Sequence, residues 1–129
     1  MTALAELAAQ LRTENTPISP HVTDPDPEQA FAPPGDYAHV LEAVREGYQL
    51  HYDQSRLLKG HDRDLALLAG DYLYALGIER LAAIGDTEAI LALADLIGTS
   101  AQLHTEGRGN ELPERWRKTA QEISKGPSR

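Results

Sequence analysis

Residues 65–107 read LALLAGDYLYALGIERLAAIGDTEAILALADLIGTSAQLHTEG, and this run decides the fold class. Its first part, residues 65–84, holds fifteen apolar residues, two glycines and three charges, Asp71, Glu79 and Arg80. A membrane-spanning helix wants about 20 mostly apolar residues with few or no charges. The charges and glycines therefore point to a helix buried in a protein. Because it is apolar nearly all round, it is expected to be enclosed by other helices. Asp62 is placed to cap it and Gly85 to stop it, and Asp86 then caps a further helix carrying Ile90, Leu91, Leu93, Leu96, Ile97, Ala101 and Leu103.

Working outward, Asp36 is a candidate cap for a helix with Tyr37, Val40, Leu41, Val44, Tyr48 and Tyr52 at three- and four-residue spacing, running to Lys59-Gly60. On the other side Gly107 and Gly109 interrupt, and Pro113 suits the first turn of a last helix with Trp116, Ala120 and Ile123 on one face. Near the N-terminus Leu4, Leu7 and Leu11 give a short helix over residues 2–14. Six of the eight prolines lie between Asn15 and Asp36, where they exclude helix and leave an arm that could wrap its own domain or a partner. No strand-period run exists. The reading is all-α: a short helix plus a Pro-rich arm over residues 1–35, and an antiparallel helical bundle over residues 36–129.

Composition narrows the functional classes. The formal net charge is −8 and there is no cysteine. That excludes disulfides, thiolate metal sites and a cysteine nucleophile, and fits a reducing, cytoplasmic setting. Residues 1–107 carry six Lys/Arg against seventeen Asp/Glu, and residues 108–129 six against three. An acidic body is the wrong sign for nucleic acid or an anionic membrane. The N-terminus lacks the basic flank of a signal peptide and carries Glu6 within its apolar stretch.

No catalytic set and no metal set is legible. The histidines at 21, 39, 51, 61 and 104 lack the i, i+4 pairing of a helical zinc site. There is no Asp-Asp dipeptide, Asp62 and Asp64 diverge around a helix, and Asp24 and Asp26 lie among prolines. The residues singled out are Gly70, Asp71, Leu73, Tyr74 and Gly77. Asp71 in an apolar helix must be paired, hydrogen-bonded, protonated or facing a cavity. It is either a buried polar contact or a functional carboxylate. Gly70 and Gly77 admit either the close approach of another backbone or a linear apolar ligand.

The same stretch resembles a central part of the trans-polyprenyl diphosphate synthases. Leu68-Ala69-Gly70-Asp71 matches the end of that family's leucine-rich run, Thr105-Glu106-Gly107 falls near the close of its next apolar helix, and Arg117-Lys118-Thr119-Ala120 looks like its later Lys-Thr helix. Active members carry two aspartate-rich motifs. Only Asp53, in Leu50-His51-Tyr52-Asp53-Gln54-Ser55-Arg56, stands where the first would be, and the second has no counterpart. The chain is thus closest in character to the small, aspartate-poor component of two-component heptaprenyl diphosphate synthases. The resemblance implies a non-catalytic subunit that packs on a catalytic partner and shapes its prenyl tunnel. Gly70, Leu73, Tyr74 and Gly77 would supply tunnel or helix-contact surface, and any magnesium would sit on the partner. A self-associating helical adaptor without prenyl chemistry is the alternative.

Overall fold

Three helices begin where a side chain takes over an orphaned backbone amide. In the computed structural model, which describes residues 1–127, Thr2 Oγ1 accepts from the Ala5 amide at 3.1 Å and opens α1 (Ala3–Thr13). Asp62 accepts from Leu65 at 2.8 Å and opens α3 (Arg63–Ile84). Asp86 accepts from Ala89 at 3.1 Å and opens α4 (Thr87–Thr105). Gly85, at φ 85°, takes the left-handed conformation that ends α3. The last helix, α5 (Leu112–Ser124), has Pro113 in its first turn and buries Trp116, Ala120 and Ile123. Among the described residues the only β pairing is one isolated bridge, Val22 with Leu58. The architecture is all-helical.

The helix α2 (Ala38–Tyr52) departs from expectation at both ends. Tyr37, not Asp36, occupies the cap position, and it makes no side-chain cap bond. Its hydroxyl instead donates to Asp86 Oδ2 at 2.6 Å and ties the start of α2 to the start of α4. The helix stops at Tyr52 rather than near Gly60, because the chain must turn back to bring Arg56 onto α2. The Ser55 hydroxyl accepts from the amides of Leu57 and Leu58 at 3.2 and 2.8 Å, and both leucines enter the core.

The enclosed helix is α2 and not α3, which corrects the expectation from apolar content. From Val40 to Leu50 every α2 residue is buried except Arg45 and Gln49. Glu42 and Glu46, which make α2 look like a surface helix in sequence, are among them, with Glu46 at 0% exposure. Arg56 offsets both charges: Nη1 lies 2.6 Å from Glu42 Oε1 and Nε 3.0 Å from Glu46 Oε1. The helix α3 buries one stripe, Ala69, Gly70, Leu73, Gly77 and Leu81, and turns its opposite row outward.

The Pro-rich arm wraps its own domain. Its start is fixed by Ser19 Oγ donating to the Leu11 carbonyl at 2.6 Å. Its middle pairs through Thr23 N to Leu57 O, and its end donates the Phe31 and Ala32 amides to Glu42 Oε2 at 2.7 and 3.0 Å. Leu4, Leu7 and Leu11 of α1 share one buried cluster with Ala43, Leu50 and Leu73, so residues 1–35 belong to the same packed body. A second cluster joins the other side of α2 to α4 and α5 around Trp116, whose indole N–H donates to Ser100 Oγ at 3.1 Å.

Candidate functional site

The five residues singled out by sequence lie along α3, four of them facing α2. At Gly70 an added Cβ would sit 2.3 Å from His51 Cδ2, and at Gly77 it would sit 2.4 Å from Val44 Cγ2. The two glycines therefore serve close helix packing, reinforced by Gly47 on α2, where a Cβ would lie 2.9 Å from the Gly70 carbonyl oxygen. The space a linear ligand would need at these positions is filled by His51 and Val44. Leu73 is fully buried among Leu4, Leu50 and Leu57. The Tyr74 ring abuts Gly47 and meets the His51 ring edge-on with centroids 5.2 Å apart.

Asp71 is the exception. The sequence sets it within apolar surroundings, yet its side chain is 73% exposed. Helical geometry explains this: Asp64, Leu68, Asp71, Ala75, Glu79 and Ala82 form the row diametrically opposite Leu73. Asp71 Oδ1 lies 3.2 Å from His51 Nε2, which is also 3.1 Å from the Leu67 carbonyl oxygen. The pair links α2 to α3 at their polar end. An exposed pair of this kind contributes roughly 0–1 kcal/mol, so it positions His51 more than it stabilises the fold.

Three of the histidines, His21, His51 and His104, hydrogen-bond within the fold. His21 Nδ1 lies 3.0 Å from the Lys59 carbonyl oxygen, and His104 Nε2 lies 2.8 Å from the Tyr48 hydroxyl while its ring stacks on Tyr52 at 4.3 Å. His51 and His61 border a cavity of about 310 Å³ with Asp53 and Arg63. Among the described residues no group of three or more His, Asp or Glu side chains is arranged to hold a metal ion. Trp116, the one aromatic residue in the basic tail, is buried and unavailable for stacking on bases.

Two phenols on α3 are held in their neutral form. Burial is the main cause for both. Tyr72 additionally donates to Glu14 Oε1 at 2.8 Å and its pKa is pushed up to about 12, and Tyr74 is raised further still. For Tyr72 the folded pKa exceeds the unfolded value, so its contribution is complete below about pH 10 and fades as pH rises toward 12. In an alkaline titration followed by phenolate absorbance, Tyr72→Phe is expected to remove one late-ionising phenol and to reduce the loss of stability between those pH values. Amplitude lost near pH 10 rather than near 12 contradicts this.

The outward side of α3 and α4 carries the exposed apolar residues. Leu68 is 61% and Leu91 65% exposed, with Leu67 beside them also reaching water, whereas Ile84, in line with Leu73, is exposed because α3 ends there. On α4 the row Thr87, Leu91, Ala94, Gly98, Ala101 and Thr105 is exposed throughout. Its alternating four- and three-residue steps match the seam of a helix that packs on another. This row is legible as spacing in the sequence, but the stronger apolar content of α3 masks it. Set against known proteins, the chain matches no family model, and no curated protein or solved structure is significantly similar to it.

Proposed function

We propose that the chain is a non-catalytic helical subunit, resembling the small component of a polyprenyl diphosphate synthase, that docks on a catalytic partner through the outward faces of α3 and α4. The observation that carries this reading is the exposure of Leu67, Leu68 and Leu91 on the same stretch whose sequence resembles those synthases. Large aliphatic side chains gain roughly 1.5–3 kcal/mol each on full burial, so a partner covering this face is favoured. Because His51 and Val44 fill the α2–α3 seam, a prenyl chain would run between α3 and the partner, along Leu68, Asp71 and Ala75. Magnesium would be bound by the partner's carboxylates. Gly70, Leu73 and Gly77 would act indirectly, by holding α3 against α2.

The test is to purify the chain from its own cells and identify what accompanies it. A prenyl synthase is expected, and the pair should condense isopentenyl diphosphate onto an allylic diphosphate with magnesium while the chain alone does not. Leu68→Glu with Leu91→Glu should lower the pair's affinity at least tenfold and leave helical content unchanged. Recovery of no prenyl synthase, or condensation by the chain alone, overturns the reading. The exposed α4 row supports the adaptor alternative, in which a second copy occupies this face; light scattering that finds a stable homodimer without prenyl activity would establish it.

A further inference from the structure

Arg45 on α2 is the one partly buried arginine that makes no hydrogen bond and no ion pair among the described residues. Its guanidinium is instead held by rings: 5.0 Å from the Phe31 centroid, 5.0 Å from Tyr48 and 5.2 Å from Trp116. Aromatic faces fix the position of a guanidinium but occupy none of its in-plane N–H donors. A half-desolvated cation with free donors is an incomplete arrangement. Arg56, ten and fourteen residues from its carboxylate partners, shows how this fold completes one when the anion is its own.

Arg45 borders a cavity of about 370 Å³ between the arm and α5. Arg117 stands across it, and Phe31, Pro33, Pro113 and Ala120 supply apolar wall. Arg117 is paired with Glu114 on the exposed face of α5, so Arg45 is the stronger anchor. The volume falls at the lower end of the roughly 300–1,000 Å³ found for small-molecule sites. Two arginines ask for an oxyanion, because their planar forks match carboxylate and phosphate oxygens. The apolar wall asks for a hydrocarbon body attached to it.

We propose that Arg45 anchors a ligand site between the Pro-rich arm and α5 that takes a small amphiphilic oxyanion, a carboxylate or phosphate group borne on an apolar body. The site lies apart from the outward faces of α3 and α4 and does not depend on the subunit reading. Trp116 is the single tryptophan and touches the same guanidinium, so its fluorescence reports occupancy directly.

The full chain would be titrated with hexanoate, hexyl phosphate, inorganic phosphate and hexanol at constant ionic strength. A saturable change in Trp116 emission is expected with hexanoate or hexyl phosphate, and the tighter of the two identifies the head group. Inorganic phosphate and hexanol should bind at least tenfold more weakly, since each lacks half of the recognised chemistry. Arg45→Met should weaken the amphiphile at least tenfold. Arg117→Gln, on an exposed helix face, should weaken it several-fold with an unchanged circular dichroism spectrum, which keeps the test decisive if Arg45→Met fails to fold. The proposal is overturned if neither amphiphile gives a saturable response, if hexanol binds as tightly as the anions, if a folded Arg45→Met binds the amphiphile unchanged, or if Arg117→Gln leaves affinity unchanged.

Discussion

Replacing Arg56 by methionine is expected to lower the unfolding free energy by about 3–5 kcal/mol, the usual cost of leaving buried charge uncompensated. Arg56 donates through Nε to Glu46 and through Nη1 to Glu42, and its backbone amide also points at the Glu46 carboxylate at 3.2 Å. Remaining donors reach the Gln29 carbonyl at 3.1 Å and the Glu42 carbonyl at 3.3 Å. One side chain thus joins the middle of α2, the loop after it and the arm. Methionine fills much of the volume but supplies no donor. Two carboxylates on the central helix would then be buried without their cation. The same change in the background of Glu42→Gln and Glu46→Gln should cost far less, because no unpaired charge remains. Chemical denaturation of the four combinations measures this directly. A loss below 1 kcal/mol for Arg56→Met alone would mean that water reaches the pair and that the arm is held by other contacts.

That network also marks where the sequence stops being legible. Local signals read well at α3 and α4, where Asp62 and Asp86 cap and Gly85 ends α3, because a cap is settled within about four residues; at α2 the expected cap Asp36 gives way to Tyr37, whose hydroxyl is taken by the distant Asp86. Which helix lies at the centre is not a local matter. Glu42 and Glu46 resemble a solvated face until a guanidinium ten or more residues later neutralises them, and nothing in the α2 periodicity announces that partner. The opposite error arises at α3, where many of the apolar residues are alanines with little surface to bury. Its acidic residues hold the corrective signal, since Asp64, Asp71 and Glu79 fall on one side of the helix and mark the face toward water. For the candidate site, Gly70 and Gly77 already stand apart from ordinary helix positions in the sequence. Their pairing with Gly47, His51 and Val44 depends on tertiary register, which spacing alone does not contain.

The close α2–α3 approach leads to an expected reversal of sign between two identical substitutions. Gly98 lies on the exposed row of α4, where an added Cβ would meet no atom within 4 Å, so Gly98→Ala should raise stability by about 0.5–1 kcal/mol through helix propensity. Gly77→Ala carries the same propensity gain but places its methyl 2.4 Å from Val44 Cγ2 and 3.3 Å from the Val40 carbonyl oxygen. Val44 cannot turn aside, because a β-branched side chain in a helix has one strongly preferred rotamer. The helices must separate instead, which loosens the seam at Gly47 and Gly70 as well. Overpacking of this kind costs about 1–3 kcal/mol, enough to outweigh the propensity gain. Val44→Ala alone should also destabilise, by opening a cavity against Gly77. Combined, Val44→Ala and Gly77→Ala exchange one methyl-bearing side for the other, and the pair should be more stable than the sum of the two losses by at least about 1 kcal/mol. Additive losses in thermal or urea unfolding would show that α2 and α3 do not meet at this position.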